Sequence, residues 1–251
     1  MSNNMLQVSA VHLSFGQLKV LNDIWLNIAP GEVVAIVGPS GCGKSSLLNI
    51  ILGFYKPSFG TIRRSGTMRM VYQRDGLFPW LTAAENIAVG VSDAVGQKDR
   101  VGQVQELLKL TRLEGFSDYF PHQLSGGMRR RIELARVLAS NADLILMDEP
   151  FSALDYQTRM RMIQEFVRVL GQRPRAVILV THDVEEAVLL ADRILVLSER
   201  PASINFELAM DLERPRKPGH PIVADAVAAV LSQLEAQENC NLIQRNPPVM
   251  N

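Results

Sequence analysis

The sequence predicts an α/β protein: a mixed sheet with flanking helices, an antiparallel β edge and an inserted helical subdomain. Three observations carry that expectation. A strand, a glycine-containing loop and a helix arrive in that order between Glu32 and Leu52. Further apolar runs at Leu144–Met147, Ala176–Thr181 and Arg193–Leu197 read as buried core strands. Between about Asp75 and Ala139 the strand grammar gives way to helical spacing of apolar residues.

The loop is Gly38-Pro39-Ser40-Gly41-Cys42-Gly43-Lys44-Ser45-Ser46, which fits the phosphate-loop pattern G-x-x-x-x-G-K-[ST] at every specified position. Glycines let the backbone turn where a Cβ would clash, so successive N–H groups can point at one anion. Lys44 adds a point charge, the free amides and positive dipole end of the following helix favour phosphate, and the Ser45 hydroxyl suits Mg²⁺. Glu32 to Val37 before the loop and Ser46 to Leu52 after it supply the strand and the apolar-faced helix that the pattern requires. The site this predicts takes a nucleoside triphosphate.

Composition narrows the partners. With 251 residues and 47% hydrophobic content the chain is long enough for a full core. Its 26 basic and 26 acidic residues cancel, leaving no global field to hold nucleic acid or an anionic membrane surface. No apolar run approaches bilayer length, and the start Met1-Ser2-Asn3-Asn4 lacks the build of a secretory signal, so a cytoplasmic location is expected. Cys42 and Cys240 are expected as free thiols. A thiol among loop amides at a helix N-terminus suggests a lowered pKa and a reactive Cys42.

Taken in order, Leu6–Leu13 and Val20–Ile28 suggest two strands joined by a turn. Phe15 at that turn is either an exposed ring able to stack on a purine or a core aromatic at a strand end. Thr61-Ile62-Arg63 is a short strand and Met68–Tyr72 a second one ending at Gln73. Helices are expected at Thr82–Val89, Gln97–Leu110 and Gly127–Leu138. The last is preceded by Leu124-Ser125-Gly126-Gly127-Met128, a second glycine turn entering a helix and a second possible phosphate contact. Asp148 and Glu149 end a buried strand, where two carboxylates are costly unless they have partners or chemistry; a solvated strand end is the alternative. Phe151-Ser152-Ala153-Leu154-Asp155 turns into an amphipathic helix through Leu170. His182 follows the next strand, before a helix over Asp183–Leu190. His12, His122 and His220 read as satisfied or capping residues, because no spacing suggests a metal site.

Together these motifs resemble the nucleotide-binding subunit of an ATP-binding cassette transporter, over about Leu6 to Leu212 and in the family's order. Phe15 matches the adenine-stacking aromatic, Gly38–Ser45 the Walker A loop, Gln73 the Q-loop and Leu124–Met128 the signature motif. Asp148 and Glu149 match the Walker B pair, Ser152–Asp155 the D-loop and His182 the switch histidine. The signature ends in Met128 where glutamine is commoner, a variant frequent in one importer subgroup. The resemblance implies a P-loop NTPase core that binds ATP and Mg²⁺. Lys44 would hold phosphates; Ser45, Gln73 and Asp148 would hold the metal; Glu149 would polarise the attacking water; and His182 would contact the γ-phosphate. Ser125, Gly126 and Gly127 would complete the site of a second copy in an ATP-sandwich dimer, with Asp155 at the same nucleotide.

The stretch Leu77-Phe78-Pro79-Trp80-Leu81-Thr82 resembles the nitrate, sulfonate and taurine importer group, as do Leu197–Pro201 and Leu212–Arg216. Phe78 and Trp80 either face a membrane subunit or fill the insertion's own core. The expected partners are a second copy, polytopic permease subunits and, indirectly, an external solute-binding protein, with no nucleic acid. The expected place is peripheral on the inner face of the membrane. An importer of thiamine precursors and a soluble P-loop kinase are the alternatives. Residues 1–212 are expected as the ATPase domain, with the helical insertion at about 75–140. Residues 213–251 are expected as a linker, a short amphipathic helix on the Val223, Ala226, Val227, Val230, Leu231 and Leu234 stripe, and a tail from Asn239.

Overall fold

The computed structural model describes residues 4–73, 76–92 and 96–245, with side chains in the last helix described to Gln237. Arg74, Asp75, the start of the chain, the tail beyond Arg245 and the Cys240 thiol lie outside the described residues. The chain divides into two compact units, Met1–Ser65 with Leu179–Asn251, and Gly66–Ile178.

In the first unit, β1 (Leu6–Phe15) lies between β2 (Leu18–Ile28) and β4 (Phe59–Arg64) in an antiparallel sheet. β1 buries Leu6 and Val8 and then Val11 and Leu13, so the alternating face changes parity. A register shift between Val8 and Val11 absorbs the extra residue, with Ala10 at φ 50°. β3 (Val33–Val37) pairs in parallel with β8 (Arg193–Leu197), and β8 pairs antiparallel with β9 (Ile204–Ala209). Every residue of β3 is buried, as a strand covered on both faces requires.

Helices α1 (Lys44–Leu52), α6 (Val184–Leu190) and α7 (Pro221–Arg245) complete this unit. α7 packs its buried Val223, Ala226 and Val230 on its own unit. It runs to Arg245, so the stretch from Asn239 expected as a tail is helical that far. The expected linker is fastened rather than free. Arg216 is buried and donates to the carbonyls of Val188 and Ala191 at the end of α6, and Arg214 bonds Asp192 at 3.0 Å.

In the second unit β5 (Met68–Val71) pairs in parallel with β6 (Leu144–Asp148), and β7 (Ala176–Val180) follows β6 in the sheet. The parallel β3–β8 and β5–β6 pairs and the antiparallel edges make the mixed arrangement the sequence predicts. Helices α2 (Ala83–Ala88), α3 (Gln97–Leu110) and α4 (Gly126–Ala139) pack around Leu77, Ile87, Val104, Leu108, Leu124 and Ile132. This is the core of the predicted helical insertion. α5 (Tyr156–Gln172) buries one apolar stripe, Met162, Ile163, Phe166, Val167 and Leu170, at helical spacing.

Candidate functional site

The predicted site residues fall in both units. In the first, β3 delivers the chain into the loop, and α1 leaves it. Gly43 holds φ 128°, and a Cβ there would lie 2.9 Å from a Val20 methyl carbon, so conformation and space both demand glycine. At Gly38 a Cβ would approach the Leu197 carbonyl oxygen to 2.8 Å. α1 has neither a capping side chain nor an acidic residue in its first turn. By contrast α2, α4, α5 and α6 are each capped by a side chain, from Thr82, Ser125, Asp155 and Asp183. The first-turn amides of α1 therefore keep the unsatisfied donors and positive partial charge that attract an anion.

Lys44 is buried, and its Nζ donates to the carbonyls of Gly38 at 2.7 Å and Pro39 at 2.8 Å. Two of the ammonium's three donors thus hold it against the loop it serves. Ser40, Gly41 and Ser45 are exposed along the loop, and Ser46 is half-buried. Cys42 corrects an expectation. Its thiol is buried, and burial pushes its pKa up despite the lowering influence of Lys44 and of backbone hydrogen bonds. The charge at the helix end does not outweigh desolvation, so this is not an activated thiol.

Phe15 is 45% exposed and meets Tyr55 edge to face at 5.3 Å, which removes the core-aromatic alternative. His182 is exposed just beyond β7. The preceding Thr181 N–H donates to the Ile36 carbonyl at 3.2 Å, tying the start of the histidine's turn to the strand that feeds the phosphate loop.

In the second unit Asp148 is the buried last residue of β6. Glu149 follows with φ 48°, a left-handed backbone that a residue with a side chain adopts only under constraint. Gln73 Nε2 lies 3.5 Å from Glu149 Oε2, at the limit of a hydrogen bond, so the amide and the carboxylate share one neighbourhood. Ser152 Oγ donates to the Glu149 carbonyl at 3.0 Å.

Ser125 is the N-cap of α4, its hydroxyl accepting from the Met128 N–H at 3.3 Å, and Gly126 and Gly127 form the first turn. A Cβ at Gly127 would lie 3.4 Å from the Ala153 carbonyl oxygen, so the signature turn packs closely on the segment leading to Asp155. Asp155 caps α5, accepting from the Thr158 N–H at 3.0 Å, and its hydrogen bonds to Thr158 hold the carboxyl below the ordinary range.

Sequence reasoning missed three residues here. Arg130 is buried and donates from every nitrogen of its guanidinium, to the carbonyls of Tyr72, Asp148, Glu149 and Pro150 and to the Glu133 carboxylate. Glu133 is wholly buried, and burial raises its pKa against the lowering charge of Arg130. Asn86 is wholly buried beneath the turn that carries Phe78 and Trp80. The charged helix face gave no sequence signal, because its backbone partners at residues 72 and 148–150 are distant along the chain. The Asn86 amide instead bonds nearby backbone at Phe78, Leu81 and Thr82, in a pattern that matches no motif. On that turn Trp80 is 69% exposed, while Phe78 is half-buried, its ring 5.5 Å from Trp80 and 5.5 Å from the Arg136 guanidinium.

The residues fit a nucleoside triphosphate and its metal. An uncapped helix start and a buried lysine suit a polyphosphate. Ser45 in the first unit, and Asp148 and Gln73 in the second, each carry an oxygen of the kind that Mg²⁺ prefers. Among the described residues no group of three or more His, Cys, Asp or Glu side chains gathers, so Mg²⁺ would depend on phosphate and water oxygens for much of its shell.

A phosphate loop followed by a strand-end carboxylate pair and a capped glycine turn defines a nucleotide-hydrolysing cassette. The ABC transporter family model matches residues 21–152. The chain is 38% identical, over 94% of its length and 98% of the relative's, to an aliphatic sulfonates import ATP-binding protein of Pseudomonas syringae pv. syringae. It is 40% identical, over 86% of its length and 87% of the relative's, to a taurine import ATP-binding protein of Burkholderia pseudomallei. Among solved structures it resembles a dimeric post-hydrolysis state of an ATP-binding cassette bound to ADP and Pi. The TM-score is 0.73 at 31% identity, covering 83% of this chain and all of that one. The chain belongs to the ABC transporter family, as an ATPase of that type.

Proposed function

We propose that the chain is the ATP-hydrolysing subunit of an importer for a small organic sulfonate, an aliphatic sulfonate or taurine. The observation that carries this is the near full-length similarity to sulfonate and taurine import ATP-binding proteins. The exposed Trp80 beside the half-buried Phe78 supports it as an apolar surface for a polytopic permease subunit. Among the described residues no helix is long and apolar enough to cross a membrane, so the proposed attachment to the inner face of the membrane is through that partner. Nitrate and a thiamine precursor are the substrates tested beside it.

In this reading Lys44 and the amides of Gly38–Ser46 hold the ATP phosphates, Phe15 stacks on adenine, and Ser45, Gln73 and Asp148 hold Mg²⁺. Glu149 orients and polarises the attacking water, and His182 stabilises the γ-phosphate. Ser125, Gly126, Gly127 and Asp155 act on the nucleotide of a second copy, so ATP joins the two and hydrolysis releases them. An external solute-binding protein and the permease select the solute.

Uptake of labelled taurine, an alkanesulfonate, nitrate and a thiamine pyrimidine is compared in source cells carrying the wild type or Lys44→Ala. Loss of sulfonate or taurine uptake alone is the expected result. Unchanged uptake of both contradicts the assignment.

A further inference from the structure

We propose that Arg130, Glu133 and Arg136 form a positioning network that holds Glu149 in its left-handed backbone and ties it to the segment leading to Phe78. This rests on the reading of Glu149 as the residue that orients water. All three side chains project from α4, spaced i, i+3 and i+6, so they line one side of the helix.

At one end Arg130 Nη2 donates to the carbonyls of Asp148 at 2.8 Å and Glu149 at 2.9 Å, and Nε donates to Pro150 at 2.8 Å. Three consecutive carbonyls are thus fixed by one planar fork, across the residue whose φ of 48° needs outside support. The same guanidinium donates to the carbonyl of Tyr72, the residue before Gln73. One group therefore sets the backbone next to both the Glu149 carboxylate and the Gln73 amide.

Glu133 balances the charge. Its Oε2 accepts from Arg130 Nη1 at 2.8 Å, its Oε1 accepts from the Tyr72 N–H at 3.4 Å, and Arg136 Nη2 lies 4.0 Å away. A wholly buried carboxylate is tolerable only with such partners. Arg136 carries the chain onward, donating to the Gly76 carbonyl at 2.9 Å and covering the Phe78 ring. The link from Glu149 to the aromatic edge is thus continuous through named hydrogen bonds, two ion pairs and one cation–π contact.

None of the three touches nucleotide in the proposed mechanism, so they are positioning residues. Removing Arg130 alone strands Glu133, so the test uses the paired variant Arg130→Gln with Glu133→Ala, and separately Arg130→Lys, which keeps the charge but loses the fork. Steady-state ATP hydrolysis, nucleotide affinity and thermal midpoint are measured for each on the full chain. The expected result is a kcat lowered about tenfold or more in both variants, with KM for ATP and nucleotide affinity within about twofold of wild type.

A wild-type kcat in either folded variant overturns the inference while leaving the ATPase reading intact. So does a loss of affinity and melting temperature in step with kcat, which marks a merely structural role. A wild type that hydrolyses no ATP overturns the proposed function, and this inference with it.

Discussion

Asn86→Leu isolates the support of the Phe78–Trp80 turn. The wild-type amide is wholly buried; its Oδ1 accepts from the Phe78 N–H at 2.8 Å, and Nδ2 donates to the carbonyls of Phe78 at 3.1 Å, Leu81 at 3.0 Å and Thr82 at 3.0 Å. Leucine keeps the same branched skeleton, so the substitution removes hydrogen bonds without opening a cavity. The two N–H groups of Nδ2 are shared among its three carbonyls, so with Oδ1 the amide makes about three full bonds, and at about 1 kcal/mol each these give a ceiling near 3 kcal/mol. The Thr82 carbonyl also accepts from the Asn86 backbone N–H, which lowers the net effect to about 2–3 kcal/mol. At about 2–4 °C per kcal/mol for a protein of this size, the melting temperature should fall by roughly 4–12 °C. Hydrogen–deuterium exchange should show lost protection at Phe78, since its N–H has lost its acceptor. A melting temperature within about 1 °C of wild type, with Phe78 protection unchanged, would refute the assignment of Asn86 as the support of this turn.

Other outcomes follow from the same contacts. Gly43→Ala combines about 1–2 kcal/mol of left-handed strain with about 1–3 kcal/mol of crowding against Val20, and should lower both stability and ATP binding. By contrast Gly102→Ala, on α3 with open space around it, should stabilise by about 0.4–1 kcal/mol in thermal unfolding. Cys42 should resist maleimide in the folded protein and react only on unfolding, as mass spectrometry of labelled protein can show. Asp143 accepts from the Thr67 N–H at 2.7 Å and its hydroxyl at 3.0 Å, which holds its carboxyl below the ordinary range. Its contribution is therefore complete above the ordinary carboxylate pKa of about 4 and lost as pH falls through the lower folded value. The gap in melting temperature between wild type and Asp143→Asn should close over that acidic interval.

Much of this was legible in the sequence, because the signals are local. The phosphate loop is one continuous stretch, and α3 was readable over Gln97–Leu110 from helical spacing alone. The strand ending in Asp148 was readable from an unbroken apolar run. β9 was not: its residues alternate half-buried and exposed at a sheet edge, so Ile204–Ala209 shows no apolar block. α7 was underestimated because the polar residues after Leu234 continue the helix without an apolar stripe. Cys42 was misjudged because proximity to a helix start is visible in sequence, whereas the burial that outweighs it is a tertiary fact. Arg130 and Glu133 look like an ordinary solvated helix face. Their partners at residues 72 and 148–150 join them only in the folded chain.

The most direct test compares ATP hydrolysis by the purified wild type and Glu149→Gln, with Mg²⁺, alongside the mass of each in solution at saturating ATP. Hydrolysis by the wild type is expected. Glu149→Gln is expected to retain ATP binding, to hydrolyse at a rate lower by about 10²–10⁴-fold and to form an ATP-dependent dimer. A folded Glu149→Gln variant that hydrolyses ATP at the wild-type rate would contradict the assignment of Glu149 as the residue that activates water. One that binds ATP yet stays monomeric would contradict the shared nucleotide site.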